Sequence, residues 1–302
     1  TQRAFMLNLI LFLLSFFFLF KLCRLLFPHN HVLLILALGV AYLAPVSVEN
    51  TMYFRSYQLQ ETLLVVCSYM FVKYYLVIKR KESIRSISNF FLFGLAIALF
   101  MLSGFFSIVY VALLLGVLMF FLYRERRFGD ILFLLGVIVV ACFFTRICYP
   151  LYFEYLLGGD RGKEALGILS NIDVIVGNLK ESIIGLSRQV KANYMGVPLA
   201  IFTMLLIVFL VFKKKLKGEK DTNRGLILIL IAISSAWLFA VYYIAPFKVM
   251  RYGAPAFPIL SLFFPFICSF FKCKEQVVIS IVFVVLFLGK TLTTKELYWE
   301  RR

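Results

Sequence analysis

Residues 53–81 read YFRSYQLQETLLVVCSYMFVKYYLVIKRK. From Thr62 to Ile78 the run is apolar except for Lys73, close to the length that crosses the hydrocarbon core of a bilayer. Lys73 lies five residues from the end of that run, about 7.5 Å of helix, so its ammonium can reach the surface along its own alkyl stem. Lys79-Arg80-Lys81 closes the run, and Arg55 and Tyr57 precede it. A segment that is apolar in the middle and basic at one end is a membrane span with a preferred orientation.

The same pattern repeats outward in both directions. Apolar runs at 4–20, 32–46, 62–78, 87–102, 105–123, 131–149, 195–212, 225–244, 256–271 and 277–290 predict an all-α polytopic membrane protein of ten spans, one transmembrane domain over 1–302. Composition agrees, because 63% of the 302 residues are hydrophobic and 16% charged, whereas soluble domains carry about a quarter charged residues. Basic clusters fall in every second loop: Lys21 to Arg24, Lys79 to Arg85, Arg124 to Arg127, Lys213 to Arg224, and Lys272 with Lys274. By the positive-inside rule these loops are cytoplasmic. Residues 1 and 302 then both lie on the outer face, and an odd number of further spans is expected upstream of residue 1. The net charge of +17, which in a soluble chain would point to nucleic acid, is here an orientation signal, and no nucleic-acid partner is expected. Six cysteines form no CxxC pair and lie mostly in or beside apolar runs, as small core side chains do.

Three outer loops carry content: 47–61, 150–194 and 245–254. In the long one, Leu166, Leu169, Ile172, Ile175, Leu179, Ile183, Leu186 and Val190 recur at helical spacing. Gly158-Gly159 marks a turn ahead of this stripe, and Ser170-Asn171 divides it. The segment predicts one or two amphipathic helices that lie on the outer interface or cap the bundle. His29 and His31, the two histidines, sit beside Pro28 in a basic-side turn without thiols or carboxylates near them in sequence, a poor metal site. Arg55 with Tyr57, and Lys248 with Arg251 and Tyr252, put cations and phenols at membrane depth on the outer face. An arginine fork takes two phosphate oxygens at once and a phenol adds a hydrogen bond, which suits a lipid phosphate; interfacial anchoring uses the same residue types. Arg146, near the outer end of the sixth run, can snorkel or join such a site. Glu49 and Glu61 flank Arg55 as candidate bases, candidate holders of a divalent cation, or ion-pair partners.

Ser47-Val48-Glu49 through Phe54-Arg55-Ser56-Tyr57-Gln58-Leu59, with the span and Lys79-Arg80-Lys81 behind it, is similar to an Arg-x-Tyr-x-Leu segment. Arg251-Tyr252-Gly253-Ala254-Pro255-Ala256-Phe257-Pro258 is similar to a late Arg-Tyr-x-x-Pro-x-x-Pro. Both belong to the family 39-like membrane glycosyltransferases of the GT-C fold, which the chain resembles in span order. Ser103-Gly104-Phe105-Phe106 falls where many of that family have a Thr-His-Tyr turn, without the histidine.

The resemblance implies a GT-C-like bundle that moves a sugar from a polyprenyl-phosphate carrier to a protein, lipid or glycan acceptor on the outer face of a membrane, the bacterial inner membrane being the expected one. It implies Arg55, Tyr57, Arg251 and Tyr252 as lipid-phosphate contacts, with Lys248 added by proximity. In the family a carboxylate of the first outer loop acts as base. This chain begins where relatives have their second span, so that first span and its acid-bearing loop are expected upstream. Within the chain Glu49 and Glu61 are the candidates, and a divalent cation stays open. Two other classes use outer-face arginines: a lipid-linked oligosaccharide flippase or other transporter, and a polysaccharide polymerase or ligase. Transporters show internal repeats and helices broken at the midplane; the sequence shows no repeat, and its prolines fall mostly near span ends.

Overall fold

A single helix, residues 57–79, is packed on several sides by other elements of the bundle. The structure is a computed structural model that describes residues 2–43, 57–83, 85, 87–157, 172–189, 223–244 and 253–299. Among these residues the chain is all-helical. In order run α1 (Gln2–Leu26), α2 (His31–Leu43), α3 (Tyr57–Lys79), α4 (Ile87–Ser103), α5 (Ser107–Arg124), α6 (Phe128–Cys148), the short α7 (Tyr152–Leu157), α8 (Ile172–Gln189) and α9 (Arg224–Ile244). A 3₁₀ turn (Ala254–Ala256), α10 (Phe257–Leu260), α11 (Phe263–Cys268) and α12 (Cys273–Trp299) complete it.

Five helical segments are long and apolar enough to cross a membrane: Met6–Leu26, Tyr57–Lys79, Ser107–Arg124, Phe128–Cys148 and Arg224–Tyr243. His31–Leu43, Phe91–Ser103 and Ala254–Cys268 are apolar but shorter. The run expected at 277–290 falls inside α12, and the one at 195–212 lies outside the described residues. The described part is therefore an integral membrane bundle of five full-length apolar helices with shorter ones between them. Its flanks agree, since Leu132, Val139 and Phe143 on α6 and Ile35 on α2 stand exposed, and only lipid covers such a surface without penalty.

α3 packs against α1, α4, α5, the 3₁₀ turn and α10. Thr62 beside the carbonyl of Leu11 and Tyr69 beside Phe18, seven residues further along both helices, set α1 and α3 side by side and running the same way. The ends at Leu26 and Lys79 therefore fall on one side of the bundle, the basic end. There Asn223 donates to Leu25 O (2.9 Å), and Arg224 donates to Ser269 O (2.6 Å) and stacks on Phe270. Asn30 donates to Gln276 Oε1 (2.7 Å) across α2 and α12. Arg127 reaches from the start of α6 to the carbonyls of Ile78 and Glu82. Five connections thus share one end.

Pro265 explains a feature of the α10–α11 segment. Having no N–H, it leaves Ser261 O without its usual partner four residues on, and Phe264 N takes that carbonyl instead (3.1 Å). The helix tightens at residues 261–262 without stopping.

Halfway along the bundle, three helices are joined by hydroxyls. Ser68 Oγ donates to Leu64 O (2.8 Å), so the bond between Ser68 and Tyr110 (2.8 Å) has Tyr110 as donor. The phenol's one proton is then spent, and Ser234 of α9 donates to it (3.3 Å). Trp237 adds a bond to Phe106 O (2.8 Å).

α8 covers Ile172–Gln189 of the predicted amphipathic segment, and the break expected at Ser170-Asn171 lies outside the described residues. Asn178 donates to Tyr243 O (2.6 Å), and Ser182 Oγ is shared between Asn178 O and Tyr242 O. Tyr242 and Tyr243 lie near the end of α9 as described, so these side-chain bonds tie α8 to that helix. Leu179 and Ile183, members of the apolar stripe, point away from the bundle with Val176 and are exposed. Polar groups dock the helix, and the stripe is left for the lipid interface.

Tyr110→Phe strips Ser68 of its donor and Ser234 of its acceptor. It should lower the stability of the purified protein by about 1–2 kcal/mol, read as a reduced thermal midpoint in detergent, with Ser234→Ala costing less. A polarity-sensitive fluorophore on a cysteine at Ile183 should report a lipid-like environment in nanodiscs, and one at Glu181 an aqueous one.

Candidate functional site

The end opposite the basic clusters holds the site. The first two turns of α3, Tyr57-Gln58-Leu59-Gln60-Glu61-Thr62, carry four hydrogen-bonding side chains that are buried, at 58, 60, 61 and 62. A lone helix face cannot bury all four, because 58 and 60 lie about 200° apart around the axis. They are covered because α1, α5 and the 3₁₀ turn close on α3 from several sides. Buried polar groups need partners, and most here have them. Gln60 Nε2 donates to Ser107 Oγ (3.1 Å), and Thr62 Oγ lies 2.8 Å from Gln58 O and 2.9 Å from Leu11 O, dividing one proton between them. Gly104 packs directly on the Gln60 amide, and a Cβ there would press on Nε2.

Glu61 is 1% exposed. Gln58 Nε2 donates to its carboxylate at 3.5 Å, and Tyr42 of α2 lies within its electrostatic reach. Tyr42 shares a 2.8 Å hydrogen bond with Ser15 of α1, which is also fully buried. The carboxyl expected in a loop beside Arg55 is therefore inside a helix and inside the bundle. The reason is that α3 starts at residue 57, five residues ahead of the apolar run; polar residues with partners inside the protein extend a helix as well as apolar ones do. Tyr57, the first residue of α3, is half-buried. Arg55, Glu49, Lys248, Arg251 and Tyr252 lie outside the described residues.

Among the described residues, two buried polar atoms at this end have no hydrogen-bond partner, Gln58 Oε1 and Tyr152 Oη. Tyr152 stacks on Phe105 (5.4 Å between centroids) and meets Tyr149 and Phe153 edge-on. Burial, with a smaller contribution from Cys142, pushes its phenol up to about 12, so it remains a proton donor at neutral pH. The nest thus offers one open acceptor and one open donor.

The 3₁₀ turn brings the second sequence stretch toward this place. Ala254 and Ala256 are buried, and their small side chains let the turn pack directly on α3 and α9. From Ser269, held at the basic end by Arg224, the helical chain runs back about 20 Å to the turn, which sets it at the opposite end. Arg251 and Tyr252 come immediately before Gly253 in sequence. Of the sequence candidates, then, Tyr57 and Glu61 share the first turns of α3, and the element that follows Arg251 packs against that helix.

Sequence reasoning missed Gln58, Gln60, Thr62, Ser107, Ser15 and Tyr42. A signal was present in Gln58-Leu59-Gln60-Glu61-Thr62, where polar residues lie on several faces of one helix start and so demand enclosure. Among the described residues no group of three His, Cys, Asp or Glu gathers as a metal site. Arg146 and Cys148 are exposed, Cys23, Cys67 and Cys268 are buried free thiols, and Lys73 is half-buried.

No family model, no curated protein and no solved structure matches the chain. What the fold and site define is a helical membrane protein with a buried polar nest at one end of its bundle.

Tyr152→Phe removes a hydroxyl that has no hydrogen-bond partner among the described residues and should leave the thermal midpoint unchanged or raise it. Gln60→Leu strips Ser107 of its partner and should cost about 1–3 kcal/mol. Thermal unfolding of the two variants side by side tests the contrast.

Proposed function

We propose that this chain is the membrane-embedded body of a glycosyltransferase that moves a sugar from a polyprenyl-phosphate carrier to a hydroxyl acceptor. The reading takes all ten apolar runs as spans, the basic end as cytoplasmic and the polar nest as facing the outer side. The observation that carries it is the packing of the 3₁₀ turn on α3, which couples the elements bearing the Arg55-Tyr57 and Arg251-Tyr252 stretches.

The chemistry needs few groups. The acceptor oxygen forms a bond to the anomeric carbon while the bond from that carbon to the phosphate oxygen breaks. The electron pair leaves with the polyprenyl phosphate, and the acceptor's proton passes to a carboxylate. Fixed cations in a water-poor site stabilise the charge that grows on the departing phosphate, an effect worth about a hundredfold or more per donor. Arg55, Tyr57, Lys248, Arg251 and Tyr252 are assigned to that phosphate. Glu49 is assigned as base within this chain. Glu61, enclosed behind Gln58 and Tyr42, is assigned to positioning, since an acceptor in water does not meet a side chain so deeply buried.

A second reading, a lipid-linked oligosaccharide flippase, draws on the 254–268 segment, an enclosed helix with three prolines and a tightened turn, the kind of interruption transporters use. One assay separates the two. Proteoliposomes of the full-length protein receive undecaprenyl-phosphate sugars and an acceptor, and both glycosylated product and sugar-lipid crossing are counted. Transfer is expected, with Arg55→Ala and Arg251→Ala each lowering turnover about a hundredfold at unchanged thermal midpoint. Unchanged turnover in both variants overturns the assignment, and crossing without product moves the protein to the second class.

A further inference from the structure

At the basic end, two connections meet and form a shallow, open pocket of about 400 Å³. Lys81, Ser83 and Arg85 line it from the α3–α4 connection, and Arg126, Arg127 and Asp130 from the α5–α6 connection. Four cations face one carboxylate. The division of labour among them is legible. Asp130 is buried and paired with both Arg85 (2.7 Å) and Arg127. Arg127 is committed further, donating to Ile78 O and Glu82 O at the end of α3. It ties the two connections together and has little left to give a ligand. Arg85 uses Nε on Asp130 and lies flat on Gly129, where any Cβ would collide with Nη2. Its two terminal nitrogens carry no hydrogen bond or ion pair among the described residues, and its side chain is 57% exposed.

Lys81 and Arg126 are placed by matching backbone devices. Glu82 N bonds to Val77 O and Lys81 N to Ile78 O; Arg127 N bonds to Leu122 O and Arg126 N to Tyr123 O. Each pair is a Schellman ending, whose left-handed residue is usually glycine. Here the left-handed residues are Lys81 (φ 59°) and Arg126 (φ 55°). Among the described residues these are the non-glycine positions with positive φ, and both line the same pocket. Both side chains are exposed, and no ion pair among the described residues engages either. At the rim, Tyr123 and Phe128 meet edge-on and stand 65% and 59% exposed, an aromatic pair of the kind that marks headgroup depth.

We propose that this pocket binds a phosphate-bearing anion at the membrane surface, with Lys81, Arg85 and Arg126 on the phosphate oxygens and Arg127 and Asp130 as the frame. The site is separate from the polar nest and does not depend on the transfer reading. Phosphate suits it because its several oxygens engage a fork and two point charges together. The phosphate is that of a lipid headgroup or of a water-soluble compound, and the test has an arm for each.

The informative variant is Lys81→Gly/Arg126→Gly, which removes two charges and at the same time supplies the residue that left-handed helix endings prefer. Purified full-length chain is measured in phosphatidylcholine nanodiscs with and without 20 mol% phosphatidylglycerol, and in detergent with inorganic pyrophosphate; the mole fraction, roughly that of anionic lipid in many membranes, is a choice of probe. Retained lipid is counted by native mass spectrometry, and the thermal midpoint is followed in every arm. The wild type is expected to bind at least one probe, and the variant to bind it about 30-fold more weakly, two surface cations' worth, with an equal or higher midpoint without ligand. Phosphatidylglycerol bound without competition from pyrophosphate assigns a lipid headgroup; competition assigns a soluble phosphate. Lys272→Gln/Lys274→Gln, which removes two exposed charges elsewhere on the basic end, is expected to bind like the wild type. The proposal is overturned if neither probe binds, if the glycine variant binds both as tightly as the wild type, or if the Lys272/Lys274 control weakens binding equally.

Discussion

Burial of the first two turns of α3 is the constraint on which the rest of the structure depends. Polar atoms taken out of water must be met by other polar atoms, and α3 presents them in several directions at once. Gln60 requires Ser107 and so fixes the start of α5. Thr62 requires the Leu11 carbonyl and so fixes the depth of α1. Further along, Ser68 requires Tyr110, which in turn requires Ser234. Apolar contacts between helices in lipid carry little directional information, because lipid tails are as apolar as leucine. The polar contacts of α3 therefore set the register of the bundle, and the large aromatic side chains around it, such as Tyr74 on Phe93 and Tyr75 on Phe121, fill the space so defined.

Much of the architecture was legible in the residues. Apolar runs and the alternation of basic loops follow from the two things a bilayer demands, hydrocarbon-matched length and one-sided charge, and both are local properties of sequence. Helix beginnings were less legible. The apolar run starts at Thr62, whereas the helix starts at Tyr57, because hydropathy records transfer to lipid and says nothing of polar residues that are covered by protein. Glu61 was misjudged for that reason. The stripe on α8 reads as one face of a helix, and the residues alone leave open whether that face lies on the outer interface or caps the bundle. Leu179 and Ile183 suit a bundle or a bilayer equally well, and only the bonds from Asn178 and Ser182 to carbonyls near the end of α9 decide between them.

Of the site, the sequence supplied residue types without neighbours. Tyr57 and Glu61 could be named from one stretch, while Ser15, Tyr42 and Ser107 are ordinary residues of other segments until folding brings them together. The two ends of the bundle also solve opposite problems. At one end polar groups are enclosed and two of them are left open; at the other, charge is concentrated and a single buried carboxylate, Asp130, holds the concentration together.

The chain of hydroxyls from Ser68 through Tyr110 to Ser234 bears on how the protein is made. Its first two members emerge from the ribosome within 42 residues of each other, and the third follows 124 residues after the second. During synthesis Tyr110 can satisfy Ser68 as soon as α3 and α5 are inserted, yet its acceptor lone pair waits for α9. An early hairpin of α3 to α5 is thus already internally bonded and persists in the membrane as a seed, and the arrival of Ser234 latches the later half of the protein onto it.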